Sequence, residues 1–215
     1  MKKLIICLAV LIGLTSMANA GMSRKNWKSI LPGGKLIQIS DNFVALPTAS
    51  TTGRMTTTVS TTTLISAATS WTTTITEASE PRNVTVDVTT TSVTAMAGTF
   101  VIEGTNHRGN STTETLTINS TNTVTGAVAW RTIDTATLTM TTITSASGDM
   151  TINIGTGDKI GLGNELAYAD DVAFVDEDGT QTTTYTANAT YDTIDFATDG
   201  NGTRNYKVYY YTPMW

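Results

Sequence analysis

Arg82-Asn83-Val84-Thr85-Val86-Asp87-Val88 opens a stretch that closes on Ile154-Gly155-Thr156-Gly157-Asp158-Lys159-Ile160-Gly161-Leu162. Val84, Val86 and Val88 alternate strictly with polar residues, the period of a half-buried strand. The same period returns in Phe100 and Ile102, in Leu116 and Ile118, and in Met150, Ile152 and Ile154. Gly104 to Asn110, Asn119-Ser120-Thr121-Asn122 and Ser147-Gly148-Asp149 supply turn residues between these runs. Val124 to Met140 carries Val128, Trp130, Ile133, Leu138 and Met140, and reads as two strands with a kink near Thr132. Six or seven short strands, about ten residues apart, suggest a sandwich or barrel, and the fold expected is an all-β antiparallel sandwich, Ig-like or jelly-roll-like.

The flanks fill in the organisation. Residues 1–20 pair Met1-Lys2-Lys3 with an apolar run from Leu4 to Leu14 and with Ala18-x-Ala20. That run is too short to span a bilayer and reads as a cleaved secretory signal. Met22-Ser23-Arg24-Lys25 would serve equally as a cytoplasmic start. Residues 21–54 read as an N-terminal arm and linker, with a short strand from Lys35 to Ser40. Residues 55–165 form the main sandwich. Within it the Thr runs around Val59, Leu64, Ile65, Trp71 and Ile75 are taken as strands rather than a glycosylated stalk. Residues 166–215 form a small hairpin unit or closing sheet. Its signals are Asp176-Glu177-Asp178-Gly179, where Asp-Gly marks a hairpin, and the terminal run Tyr206-Lys207-Val208-Tyr209-Tyr210-Tyr211.

Composition agrees. Thr makes up about a fifth of the chain, and it is β-branched, so it suits a pleated, partly wetted surface. Only 14% of residues are charged and the net charge is −5. Losing Lys2 and Lys3 would take it to about −7. A general nucleic-acid binder needs a basic face, so that class is disfavoured. The one cysteine, Cys7, lies in the signal-like run, so the mature chain has no disulfide, thiolate or cysteine–metal chemistry.

Reactive groups are scattered. His107, the sole histidine, sits in the turn Asn106-His107-Arg108-Gly109 with no nucleophile elbow in the chain, so no catalytic residue is assigned. Asp176 and Asp178, in the acidic run with Asp170, Asp171 and Glu177, are weak calcium candidates without the spacing of a twelve-residue calcium loop. Gly155 to Gly163 has the look of a phosphate loop, but its spacing misses the dinucleotide fingerprint and no helix follows; a glycine-rich turn between strands is expected. No cofactor is expected.

Several motifs together resemble poorly characterised β-rich structural proteins of tailed phages and prophages. These are Arg82-Asn83-Val84, Gly104-Thr105-Asn106 with Gly109, Thr113-Glu114-Thr115-Leu116, Val124-Thr125-Gly126 through Trp130-Arg131-Thr132, and Gly155-Thr156-Gly157-Asp158-Lys159-Ile160-Gly161-Leu162. The resemblance covers roughly residues 80–211. Trp130 stands where an aromatic, often Phe, is usual and Arg131 where Lys is, and the secretory pattern departs from virion proteins. It implies a non-enzymatic structural component, a capsid-decorating or tail/head-associated protein, located in the virion. Its partners would be other structural subunits in a homo-oligomer or array, with no nucleic acid and no membrane span. The alternative is a secreted, extracytoplasmic, adhesin-like surface protein. The aromatic end of the chain, Tyr206, Tyr209, Tyr210, Tyr211 and Trp215, is the expected interface.

Overall fold

The computed structural model describes residues 36–60, 69–71, 75–90, 95–119, 123–144 and 149–213. In chain order the strands are β1 (Leu36–Phe43), β2 (Ser50–Ser60), β3 (Thr69–Trp71), β4 (Arg82–Thr90), β5 (Ala95–Asn106), β6 (Ser111–Ile118) and β7 (Val124–Thr125). They continue with β8 (Trp130–Thr144), β9 (Asp149–Gly161), β10 (Val172–Glu177), β11 (Thr180–Thr182), β12 (Tyr185–Asn188), β13 (Thr193–Phe196) and β14 (Tyr206–Pro213). Every strand pairing is antiparallel. The protein is an all-β sandwich, and the described helical content is one 3-10 turn, Ala169–Asp171.

Ten of the strands share one hydrogen-bonded network. It divides into two leaves. In one, β9 has β4 on one side and β2 on the other, and β7 pairs with β4. In the other, β8 has β5 and β3 beside it, with β6 outside β5. A single rung, Arg82 opposite Trp130, joins them through β4 and β8. The apolar faces of the two leaves meet in the first core. Val84, Val86, Val88, Ile152 and Ile154 come from one leaf, and Phe100, Ile102, Ile118 and Leu138 from the other. The strict alternation of the sequence is this burial, worth about 1.5–3 kcal/mol for each such side chain.

The second core lies under a four-stranded sheet of order β1-β14-β10-β11. Opposite it sit β13 and β12, which pair with each other, and the far end of β9, which pairs with β13. Phe43, Val175, Ile194, Phe196, Tyr206, Val208 and Tyr210 fill it, with Ile160 and Leu162. One strand therefore serves both cores. β9 gives Met150, Ile152 and Ile154 to the first and Ile160 to the second.

Three expectations change in detail. The short strand expected from Lys35 to Ser40 is β1, but it is paired with β14 over eight rungs rather than part of an arm, and β2 begins at Ser50 inside the expected linker. The 166–215 region is not self-contained, because β12 and β13 extend the network of β9. The expected kink at Thr132 takes the form of irregularities in one long strand. The β5–β8 register steps past Arg131 and past Asp134, leaving both charged residues unpaired in the ladder and exposed. Asp178 and Gly179, both at positive φ, form the predicted tight hairpin between β10 and β11. Residues 1–20, 21–35, Cys7, Trp71's side chain and Trp215 lie outside the described structure. Among the described residues no helix is long and apolar enough to cross a membrane.

Candidate functional site

The glycine-rich segment expected as a turn is strand. Gly155 and Gly157 lie within β9 and Gly161 ends it. Each is glycine because something presses on it. A side chain at Gly155 would strike the backbone of Ser50 and Thr51, one at Gly157 the Asn83 carboxamide, and one at Gly161 the His107 ring. These contacts mark the seam between the cores, and two buried arginines, Arg54 and Arg82, lie along it.

Its centre is Arg82, 2% exposed. The guanidinium donates from Nε to the Gly157 carbonyl at 2.7 Å and from Nη1 to the Pro47 carbonyl at 2.6 Å. It thereby ties β4, β9 and the segment between β1 and β2. Asp158 Oδ1 lies 3.7 Å from Arg82 Nη2, an ion pair too long for a hydrogen bond, and that oxygen is buried with no hydrogen-bond partner. Arg54, also 2% exposed, donates from Nη2 to the Arg82 carbonyl at 3.2 Å and pairs with Glu77 at 3.4 Å. Glu77 uses its other oxygen to accept the Ile133 N–H at 2.7 Å. Burial, opposed by Glu77 and reinforced by Arg82, pushes the Arg54 guanidinium down to about 10. Burial also lowers Arg82 and raises Asp158, each partly offset by the other's charge.

Asn83 completes the junction. The β4–β9 register slips between Arg82 and Val84. The Asn83 side chain fills the gap, accepting the Lys159 N–H at 2.9 Å and donating to the Gly126 carbonyl at 2.7 Å. Glu114 holds the adjoining loop: its carboxylate accepts the backbone N–H groups of Ala127 at 2.5 Å and Val128 at 3.3 Å, and the Trp130 indole N–H at 3.3 Å. These groups satisfy backbone that the irregular ladder leaves open.

On the other flank of β9, His107 lies against Gly161, its ring nitrogens buried without hydrogen-bond partners. Burial lowers its pKa, with the nearby Asp192 charge opposing. Asp192 is itself buried and sits at φ 49°. It accepts the Leu166 N–H at 2.8 Å and Arg108 Nη1 at 2.6 Å, and Glu165 pairs with Arg108 at 3.8 Å. Arg108, Asp192, Asn106, Thr112, Thr113, Val128, Thr190 and Tyr191 line a cleft of about 260 Å³.

The residues singled out by sequence are distributed otherwise. Tyr206, Tyr210 and Tyr211 are buried within this chain, and Tyr209 is half-buried, stacked on Phe174 at 4.4 Å with Lys207 above its ring. The first three therefore do not offer exposed surface. Asp176 and Asp178 line a larger cleft of about 400 Å³ with Asn205 and Lys207. There Asp176 accepts the Gly179 N–H within the turn, and Asp178 accepts the backbone and side-chain N–H groups of Asn205, which tie the turn to the loop ahead of β14. Among the described residues no group of three or more His, Cys, Asp or Glu side chains is placed to hold a metal ion. Arg54, Arg82, Asn83, Glu114 and Asp192 were not expected. The available signal was Arg82-Asn83 standing directly ahead of strict Val alternation: a charge at the start of a buried run must be bonded there. No family model, curated protein or solved structure matches this chain.

Proposed function

We propose that the protein is a non-enzymatic structural component of a phage-like particle, working through subunit interfaces in a homo-oligomer or array. One observation carries the reading. The residues that bear the resemblance to phage and prophage structural proteins are those that build the seam. Arg82 and Asn83 bond to the Gly155–Lys159 segment and its neighbours, and Glu114 bonds to the loop of Val124-Thr125-Gly126. The shared pattern is thus a pattern of architecture, and its buried charges are spent on backbone carbonyls and amides.

The outward faces favour the same use. Thr113, Thr115 and Thr117 on β6 and Thr139 on β8 are exposed, neutral and β-branched. Among the described strands β6 lies at the edge of its leaf, and it pairs with β5 over eight rungs without a register break. An unbroken outer strand is a template for addition of a neighbour's strand, within an interface of ordinary size, about 1,200–2,000 Å². Immunogold electron microscopy with an antibody to this chain, run with mass spectrometry of purified particles, tests the proposal. Label on particles and stoichiometric peptides are expected; unlabelled particles without its peptides would overturn it.

The second reading is a secreted, adhesin-like surface protein, favoured by the secretory pattern of residues 1–20. Cell fractionation distinguishes the two: surface fractions free of particles support the second reading.

A further inference from the structure

We infer that the cleft beside Arg108 binds a neutral saccharide ring, with Tyr191 as its stacking surface. It holds about 260 Å³, room for one sugar ring and not for a drug-sized ligand. Its parts come from two turns of distant sequence, Asn106 to Thr113 and Thr190 to Asp192, with Val128 as an apolar element.

Both turns are fixed before any ligand arrives. Asn106 Oδ1 accepts the N–H groups of Arg108 and Asn110, each at 3.0 Å. Asn188 Oδ1 accepts those of Thr190 at 2.9 Å and Tyr191 at 3.3 Å. Buried Asp192 anchors Arg108 across the cleft at 2.6 Å. A site already ordered spends little binding energy on ordering.

The chemistry selects the ligand class. Tyr191 is 39% exposed and lines the cleft, the one aromatic among the described residues that does. The Arg108 guanidinium has five N–H groups, of which Asp192 takes one in a hydrogen bond. The hydroxyls of Thr112, Thr113 and Thr190 stand beside them. An aromatic face bordered by uncommitted donors and hydroxyls suits the apolar face and hydroxyl rim of a pyranose. Asp192 and Glu165 both face the one arginine, so the local charge leans negative and an anionic sugar is disfavoured. The larger cleft near Asp176 lacks this character, because Asp176, Asp178 and Asn205 are bonded into its own turns.

The inference holds in either setting, particle or cell surface, so its failure leaves the labelling experiment untouched. The full chain, fluorescently labelled, is applied to a glycan array and then titrated with neutral monosaccharides and with sialic acid and glucuronic acid. We expect binding to neutral sugars, weakened at least tenfold by Tyr191→Ala and by Arg108→Ala. Tyr191→Ala carries the decision, because this exposed side chain can be removed without opening a core; its thermal midpoint is measured alongside as the control. Absence of saccharide binding, binding confined to acidic sugars, or affinity unchanged in Tyr191→Ala would each overturn the assignment.

Discussion

The two cores of this molecule are built on different chemistry. The first is aliphatic for most of its length, with Val, Ile, Leu and Met from two facing leaves around Phe100 and Trp130. The second is aromatic and wired. Phe196 stacks on Tyr206 at 4.1 Å and 6°. The hydroxyl of Tyr206 donates to the Thr198 carbonyl at 2.6 Å, that of Tyr210 to Asp41 at 2.7 Å, and that of Tyr185 to the Val172 carbonyl at 2.8 Å. Burial and Asp41 together raise the Tyr210 hydroxyl above its usual range. The first core is specified by area and period, which are non-directional; the second by bonds that each have one geometry. β9 belongs to both, and Arg82 clamps it where one gives way to the other.

The largest effect should follow from breaking that clamp. Arg82→Ala leaves the Gly157 and Pro47 carbonyls without their buried donor and the half-exposed Asp158 without its cation. A loss of about 2–6 kcal/mol is expected from the two unsatisfied carbonyls, read as a lower urea midpoint, with both cores loosened together. A loss confined to one core would show that the two are not coupled there.

Next is a test of the wiring. Tyr210→Phe keeps the ring but removes the hydroxyl that Asp41 and the Asn164 N–H share. It should cost about 1–3 kcal/mol. The comparable one-methyl trim in the first core, Ile152→Val, should cost about 0.5–1.5 kcal/mol. Equal costs in chemical denaturation would erase the distinction between the cores.

A third effect is set by pH. Burial disfavours the charged form of His107, so its folded pKa lies below the usual 6.5 of a histidine. Between 6.5 and the lower folded value the unfolded chain binds the proton and the folded chain does not. Stability is therefore full above 6.5 and falls as pH drops through that window. Asp158, Asp171 and Asp195 are raised above 3.8, so acidification favours the folded form in their lower window and opposes the histidine effect. Midpoints measured from pH 7.5 to 5 should decline, and His107→Gln should flatten that decline.

The smallest effect belongs to the outer faces. Thr139→Ala on β8 should shift stability by no more than about 0.5 kcal/mol, by thermal melt, because that exposed position contributes surface rather than core.

The legible parts of the fold were those governed by period. Val84 to Val88, Met150 to Ile154 and the alternation of Tyr206, Val208 and Tyr210 each gave a strand and its inward face, since alternation registers burial directly. The Asp-Gly hairpin was legible because positive φ demands those residues. What stayed hidden was long-range. Nothing local says that Leu36–Phe43 pairs with the chain's far end, or that Gly155 is glycine because Ser50 and Thr51 cross it. The cleft was equally unreadable, since Arg108 and Asp192 lie 84 residues apart in sequence and meet only because β13 extends β9. The aromatic terminal strand misled for a related reason: aromatics that mark a free interface also mark a core, and only the pairing with β1 and β10 tells them apart.

Residue-resolved amide hydrogen exchange tests the central claim, that one shared strand makes the two cores a single cooperative body. Slowly exchanging amides of Ile152 in the first core and of Ile194 and Val208 in the second should open with the same free energy, equal to that of global unfolding, and fall together in Arg82→Ala. Exchange of Ile194 and Val208 through an opening of markedly lower free energy, with Ile152 still protected, would contradict it.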